Sequence, residues 1–434
     1  MPKNPGPNLR HLEALLVVQQ AGSISAAAPQ VNLSQPALTQ AIARLERQLG
    51  MALFERQPGG MVATSAAGLL LPRIERALAQ LAQGVRLARR AVRQPVHPGL
   101  ERRIGLGQWQ ALVALEHAGS YALAAAQAGV SQPAVHRAVQ ALADTIAVPL
   151  VVLRGRSVQL TPAALALLRR VRLGLSELEA GLDELAALRS QQAGRIRLGA
   201  MPVARAVLLP QVLARFARLH PGVAISVVEG PYPQLLSQLR DGGLDLLIGA
   251  LREPPPVRDI VQEPLFADDP LIVARVGHPL ASGPYAFAQL RDYPWVVAAA
   301  GAPAHERWEQ LFQAHGVAPP PRWIECGSVL ITRGLLLEDD WLALMSPDQC
   351  VVERRAGLLC AIGSAGGGAR RIGLTMRSDW QPTRVQHALL QTFRQLSRER
   401  APRMQDGSRW PFRHGEATSA TLRLRTGRAE SESC

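Results

Sequence analysis

The feature that most constrains this chain is an internal repeat. Residues 9–73 align with residues 106–170 at a constant offset of 97, without a gap. The run Ser34-Gln35-Pro36-Ala37 recurs in register as Ser131-Gln132-Pro133-Ala134. An alanine- and leucine-rich background produces chance matches, but it does not produce a four-residue identity in register with the rest. A chain with such a repeat is expected to build the same structural unit twice.

Each copy begins with the same succession of predicted helices. A helix with apolar residues at helical spacing is followed by Gly-Ser, which indicates a turn and an N-cap. A short alanine-rich helix and a tight turn then lead to Ser34 or Ser131, again as an N-cap. Proline lies in the first turn of the next helix, where a missing N–H costs nothing. This longer helix is expected to run to about Leu49 in the first copy and Ile146 in the second.

A small hairpin follows the helices of each copy. Residues 53–64 and 150–161 have the pattern of a strand, a glycine-containing tip and a second strand. Two helices joined by a tight turn and followed by such a hairpin predict a winged helix-turn-helix.

The net charge is unevenly distributed along the 434 residues. The chain carries 48 basic and 34 acidic residues, a net charge of +14. Half of that excess lies in residues 1–100, which hold 11 basic and 4 acidic residues, or +7. The asymmetry favours a polyanion-binding module at the N-terminal end, although an arginine-rich coding bias would produce a similar excess.

At these residues the chain resembles the LysR-type transcriptional regulators. The segment GSISAAAPQVNLSQPALTQAIARLERQLGMALFERQPGGMVATSAAG is similar to the winged helix of that family. The segment GSYALAAAQAGVSQPAVHRAVQALADTIAVPLVVLRGRSVQLTPAA resembles a second, more diverged one. The family usually carries one such module, so two in tandem is a departure.

The pattern changes from Gly194 onward to alternating strands and helices. RIRLGA, VAISVVEG and LDLLIGAL have the pattern of strands, with helices between them, and a second series starts at DPLIVARVGHPLA. This half resembles the effector-binding domain of the same family, a two-lobed fold like that of periplasmic binding proteins. It is most similar to the subgroup with regulators of galactose-binding-protein and protocatechuate-pathway genes.

The predicted fold class is therefore α and α/β: two tandem winged helix-turn-helix domains with long linker helices, then a two-lobed α/β effector domain. The expected boundaries are 1–8 for a flexible N-terminus, 9–66 for the first winged helix, 67–93 for its linker helix, 94–104 for a linker, 105–161 for the second winged helix, 162–190 for its linker helix, 194–400 for the effector domain and 401–434 for a disordered tail. Within the effector domain, lobe I is expected at 194–267 and 370–400, and lobe II at 268–369.

A recognition helix places its N-terminal residues at base edges in the major groove, while basic side chains nearby hold phosphates. In the first copy the candidate DNA-binding residues are Ser34, Gln35, Pro36, Thr39, Gln40, Arg44, Arg47 and Arg56. In the second copy they are Ser131, Gln132, His136, Arg137, Arg154 and Arg156. The second copy replaces Arg44, Arg47 and Arg56 by Ala141, Asp144 and Leu153, so it is expected to bind DNA weakly, to bind another half-site or to act as a spacer.

A long amphipathic stretch follows each hairpin. The second carries an apolar stripe from Leu165 through Leu175 and Leu182 to Leu188. In the family the equivalent helix pairs two subunits, so the resemblance implies a homodimer or tetramer; the alternative is a core helix of a single chain.

The resemblance also implies an inducer site between the lobes. The matching positions are Met201, Pro202, Val203, Ala204, Gly249, Ala250, Gly301, Ala302, Pro303, Gly327, Ser328 and Val329. Backbone N–H groups at helix starts suit an anion, so the expected inducer is an organic acid or a sugar.

Other features narrow the class of protein. No stretch of about 18 apolar residues is present, and the N-terminus has no apolar signal region, so we expect a cytoplasmic, nucleoid-associated protein without membrane contact. The four cysteines show no paired spacing, and the ten histidines show no metal-ligand spacing, so we expect no metal, no cofactor and no enzymatic activity.

Two functional classes remain open. The first is a ligand-responsive regulator with promoter DNA, a second copy of the chain, an inducer and RNA polymerase as partners. The second is a solute-binding or enzymatic protein that uses the winged helices as interaction modules.

Overall fold

The computed structural model describes residues 9–154, 157–189 and 193–405. The first module is built by three helices and a two-stranded hairpin: α1 Leu9–Ala21, α2 Ile24–Gln30, α3 Gln35–Leu49, β1 Phe54–Gln57 and β2 Gly60–Ala63. Serines begin two of the helices as the sequence predicts. Ser23 Oγ accepts from the Ala26 N–H and Ser34 Oγ from the Ala37 N–H.

The second module repeats this succession: α5 Leu106–Ala118, α6 Tyr121–Ala128, α7 Gln132–Ile146, β3 Val151–Arg154 and β4 Ser157–Leu160. Both hairpins are antiparallel and have the same register, with Phe54 opposite Ala63 and Val151 opposite Leu160. The predicted helix ends at Leu49 and Ile146 are confirmed.

Each hairpin leads into a long helix, α4 Ser65–Ala91 or α8 Pro162–Arg189. The two helices run antiparallel and pack against each other within the chain, and a single hydrophobic core includes both modules and both long helices. The prediction that α8 pairs two subunits through its apolar stripe is wrong. Its partner is α4, and Leu182, offered as part of the subunit seam, is 40% exposed. An apolar stripe shows that a helix must be covered, but not by which chain.

Lobe I of the C-terminal half is a five-stranded sheet in the order β6-β5-β7-β14-β8. Its strands are β5 Arg195–Ala200, β6 Ala224–Glu229, β7 Leu246–Ala250, β8 Ile260–Asp268 and β14 Arg370–Arg377, and its helices are α9 Leu208–Leu219, α10 Tyr232–Arg240 and α14 Arg384–Gln405. β5, β6 and β7 are parallel, whereas β14 runs antiparallel to both neighbours.

Lobe II is a second five-stranded sheet in the order β11-β10-β12-β9-β13. Its strands are β9 Leu271–Arg275, β10 Trp295–Val297, β11 Trp323–Glu325, β12 Leu342–Met345 and β13 Leu359–Ser364, and its helices are α11 Pro303–Ala314, α12 Val329–Glu338 and α13 Val351–Arg355. The chain passes from lobe I to lobe II between β8 and β9 and returns between β13 and β14.

Two boundaries differ from the sequence expectation. β8 ends at Asp268, one residue inside the expected second lobe, and α14 continues to Gln405, five residues into the expected disordered tail. The remaining tail, residues 406–434, and the expected flexible start, residues 1–8, lie outside the described residues.

Candidate DNA-binding surface and effector cleft

The start of α3 presents a polar, exposed face. Ser34, Gln35, Pro36, Thr39 and Gln40 are all exposed, whereas the opposite face of the helix is buried. Thr39 Oγ1 donates a 2.8 Å hydrogen bond to the Gln35 carbonyl, and the residue is exposed. This arrangement suits direct contact with base edges in a major groove.

Three arginines flank that face. Arg44 and Arg47 are exposed farther along α3, and Arg56 is exposed in the wing. The wing is held against the helix by Glu46, whose Oε1 accepts hydrogen bonds from the N–H groups of Leu53 and Phe54 at 2.8 and 3.2 Å. Glu46 was not among the sequence-based candidates, and it fixes Arg56 relative to α3.

The corresponding face of α7 is also exposed. Ser131, Gln132, His136 and Arg137 point away from the core, and the His136 ring lies 5.1 Å from the Tyr121 ring. Apart from Arg137, α7 carries no arginine. Arg156 and the side chain of Arg154, both expected in the second wing, lie outside the described residues.

The lobe I candidates for effector binding lie at the carboxyl ends of two adjacent parallel strands, β5 and β7. Met201 packs directly on Gly249, because a Cβ on that glycine would lie 2.2 Å from Met201 Cε. Val203 packs with Ala250, and Ala204 is buried. Residues 202–207 form turns, and α9 starts at Leu208, where the helical pattern of the sequence begins. Pro202 is only half-buried, so it remains the more open member of this set.

The lobe II candidates follow β10 and β11, which are also adjacent and parallel. Gly301, Ala302 and Pro303 begin α11, and Gly301 has a positive φ of 75°. Gly327, Ser328 and Val329 begin α12, where Ser328 Oγ accepts from the Ile331 N–H at 3.4 Å. Two helix N-termini therefore lie at one sheet edge, an arrangement that favours a negatively charged group.

The structure brings each set together within its own lobe. In the described part of the chain no hydrogen bond or ion pair crosses from one set to the other. A polar cavity is found elsewhere, between the long helices and lobe I, lined by side chains that include Arg73, Glu177, Arg197, Asp245 and Arg377. It lies at the junction of the two halves of the molecule and not at the expected inducer site, and Arg73 pairs there with Glu177 and Arg197 with Asp245.

Sequence reasoning did not find the ion pairs that join the second module to lobe I. Arg172 of α8 contacts Glu116 of α5 and Asp241 after α10, the latter at 3.1 Å. Arg169 contacts Asp259, which Arg240 also holds at 3.0 Å. Burial pushes the pKa of the Asp259 carboxyl upward, but hydrogen bonds from Arg169 and Arg240 outweigh it and lower the pKa. The pKa of Asp241 is raised, because burial outweighs the attraction of Arg172 and Arg169.

The signal for this bridge was present in the repeat. At the offset of 97, Arg169 and Arg172 correspond to Pro72 and Glu75, so α4 lacks both of the arginines that form this bridge. Among the described residues no cluster of three potential metal ligands occurs, and none of the described helices is both long and apolar enough to cross a membrane.

Comparison with known families gives matches over most of the chain. The model for the LysR substrate binding domain matches residues 189–401. The model for bacterial regulatory helix-turn-helix proteins of the lysR family matches twice, over residues 9–68 and 106–165.

Individual relatives agree. The chain is 34% identical over 396 residues to the HTH-type transcriptional regulator GalR of Pseudomonas putida, covering 91% of this chain and 98% of the relative. It is 29% identical to the HTH-type transcriptional regulator PcaQ of Agrobacterium fabrum, covering 69% and 97%. Among solved structures, a full-length OxyR variant from Pseudomonas aeruginosa is similar in fold, with a TM-score of 0.51, 21% identity, and coverage of 67% of this chain and 98% of that one.

Proposed function

The chain belongs to the LysR family of bacterial transcriptional regulators, and from this premise we propose that α3 and its wing make the main sequence-specific contact with promoter DNA. The family membership makes the protein a ligand-responsive DNA-binding regulator rather than an enzyme, and the alternative of a solute-binding or enzymatic protein is not favoured by its relatives. The residues that read DNA and the nature of the ligand belong to the proposal.

One observation carries the DNA proposal. Gln35, Thr39 and Gln40 form one exposed face on α3, and Arg44, Arg47 and Arg56 are exposed around it. Glutamine pairs bidentately with adenine, and a threonine methyl group suits the methyl group of thymine. The arginines hold phosphates and set the register of the helix on the duplex.

The effector proposal rests on the carboxyl ends of the parallel strands. Two helix N-termini, at Ala302 and Ser328, lie at one edge of the lobe II sheet, and each carries about half a positive charge. We expect a small organic acid to be bound there, with a sugar as the alternative. Ligand binding then has to favour one lobe arrangement over another, which needs a differential affinity of a few kcal/mol.

Self-association of the chain requires a surface other than the α4–α8 pair, because these helices already cover each other. The exposed apolar side chains of α12, Leu330 at 72% and Ile331 at 55%, offer one in lobe II. Since its proposed partners are promoter DNA and RNA polymerase, we expect the protein to act in the cytoplasm, at the nucleoid.

The DNA proposal is tested by comparing Gln35→Ala with Arg56→Ala. Gln35→Ala should relax discrimination at one base pair by roughly 1–3 kcal/mol and leave the salt dependence unchanged. Arg56→Ala should weaken binding to every sequence and reduce the slope of log affinity against log salt by about one. The measurement is fluorescence anisotropy on the promoter upstream of the protein's own gene and on scrambled duplexes, at several salt concentrations.

Arg215→Ala is the control, because Arg215 lies on α9 of lobe I and pairs with Glu399. It should leave both quantities unchanged. An equal loss of affinity for all sequences on Gln35→Ala would show that Gln35 does not read a base.

A further inference from the structure

The packing of α4 against α8 is reciprocal. A Cβ added to Gly84 would lie 2.9 Å from Arg170 Cβ, and a Cβ added to Gly181 would lie 3.2 Å from Arg73 Cβ. Gly181 is Gly84 plus the repeat offset of 97, and Arg170 is Arg73 plus the same offset. Each contact therefore maps onto the other when the two helices are exchanged, which is the signature of a two-fold axis.

Two hydrogen bonds between these helices are related in the same way, whereas Arg73–Glu184 and Arg76–Glu177 have no equivalent, because Leu87 and Leu173 stand at the matching positions. Arg73 Nη1 donates to Glu177 Oε2 at 3.0 Å, and Arg170 Nη1 donates to Gln80 Oε1 at 2.8 Å. Glu177 is the equivalent of Gln80. Apolar contacts and polar contacts thus agree on one axis, which passes between the helices near their midpoints.

Each module is attached to its long helix in the same way. Thr64 Oγ1 donates to the Ala52 carbonyl at 2.8 Å, and Thr161 Oγ1 donates to the Pro149 carbonyl at 2.8 Å. Both threonines also cap the helix that follows. Since both junctions are alike, the axis that relates α4 to α8 also relates the two modules, and with them α3 to α7.

A protein with this symmetry meets DNA on DNA's own two-fold axes, so that each recognition helix enters one half-site. We propose that a single chain reads two half-sites on one duplex, with α3 in one and α7 in the other. This inference rests on the proposed DNA-binding function. It replaces the weak-binding and spacer alternatives for the second module.

The two half-sites differ in sequence, because the equivalent reading positions differ. Gln35 and Gln132 are the same residue type, but Gln40 corresponds to Arg137, and Thr39 to His136. Glutamine pairs with adenine, whereas arginine pairs with guanine. The operator is therefore an imperfect palindrome, with adenine facing Gln40 in one half and guanine facing Arg137 in the other.

The two half-sites also differ in their electrostatic contribution. Ala141, Asp144 and Leu153 in the second module replace the three arginines that flank α3. Most phosphate contacts, and hence most of the salt dependence, belong to the first half-site. An asymmetric operator bound by an asymmetric chain has a fixed orientation, which places lobes I and II on a defined side relative to the promoter.

The experiment begins with selection from random duplexes of roughly 30 base pairs, enough for two half-sites one or two turns apart. The full-length chain should enrich an imperfect palindrome. The saturated complex, measured by native mass spectrometry, should contain one chain per duplex. Self-association does not alter this ratio, because a dimer of the chain would hold two duplexes.

Arg137→Ala should then reduce discrimination for guanine in the second half-site by roughly five- to hundredfold without changing the first. Gln40→Ala should reduce discrimination for adenine in the first half-site without changing the second. Gln211→Ala, which removes an exposed glutamine of α9 in lobe I, is the control and should change neither.

Enrichment of a single half-site, or two chains on each duplex, would overturn this proposal and leave DNA binding by α3 intact. An Arg137→Ala protein with unchanged base preference would also overturn it. Failure to enrich any sequence would overturn the proposed function itself, so the two failures are distinguishable.

Discussion

At the scale of single residues, Ser328 serves the fold as a helix cap and is also a member of the proposed effector site. Its Oγ accepts from the Ile331 N–H at 3.4 Å, which is long for a hydrogen bond, and its side chain is only half-buried. A hydroxyl held so loosely can turn toward a ligand without giving up a strong contact.

We expect Ser328→Ala to raise the effector concentration that gives a half-maximal response by roughly two- to tenfold, the value of one hydrogen bond. Loss of the cap should cost about 1 kcal/mol of stability. The measurement is a thermal-shift titration with a small carboxylic acid or sugar found by screening, together with operator affinity, which should not change.

Ser120→Ala provides the matched control, because Ser120 caps α6 with a 3.2 Å bond from Leu123 and lies in the second module. It should cost a similar amount of stability without altering the effector response. A normal response of Ser328→Ala to a ligand shown to occupy the cleft would mean that Ser328 is only a cap.

At the scale of helices and strands, glycines set the distance between α4 and α8. Gly84→Ala should destabilise the protein by roughly 1–3 kcal/mol, because its Cβ would meet Arg170 Cβ at 2.9 Å in a packed interface. Gly68→Ala in the same helix has no atom within 4 Å of the new Cβ, and should be neutral or stabilising by up to about 1 kcal/mol. Urea unfolding midpoints of the two variants test this directly. Equal midpoints would show that the helices can separate without cost.

Local sequence signals predict the helices of this protein more completely than its strands. The helices of the winged modules were predicted to within a residue, because caps, prolines and apolar spacing are local signals. β8 and β13 were not predicted, because their strand character comes from pairing with β14 and β9, which are distant in sequence.

The candidate sites were predicted unevenly for a related reason. The exposed face of α3 follows from helix periodicity and is present in the structure. The burial of Met201 against Gly249 depends on two strands that meet only in the folded sheet, and the partner of α8 depends on a choice between chains that an apolar stripe does not make.

At the scale of the whole molecule, the ion pairs of Arg172 form a connection between the effector domain and the DNA-binding half. Arg172 contacts Glu116 at the end of α5 and Asp241 of lobe I, and all three side chains are largely shielded from solvent. A lobe movement that displaces Asp241 is therefore transmitted to the second module through one side chain.

We expect Arg172→Met to reduce the coupling between the effector domain and the DNA-binding half more than it reduces the stability of the fold. Partly exposed ion pairs contribute about 1 kcal/mol or less each, so global stability should change little. The fold-change in operator affinity caused by effector should fall toward one, because the two halves would lose a shared contact. Hydrogen exchange at the end of α5 should become faster.

Arg215→Met, which breaks the Arg215–Glu399 pair within lobe I, is the matched control and should affect neither measurement. If Arg172→Met retained the full effector-induced change in operator affinity, coupling between the halves would have to pass through another contact, of which the 2.8 Å hydrogen bond from Arg73 Nη1 of α4 to the Gln381 carbonyl of the effector domain is the first to test.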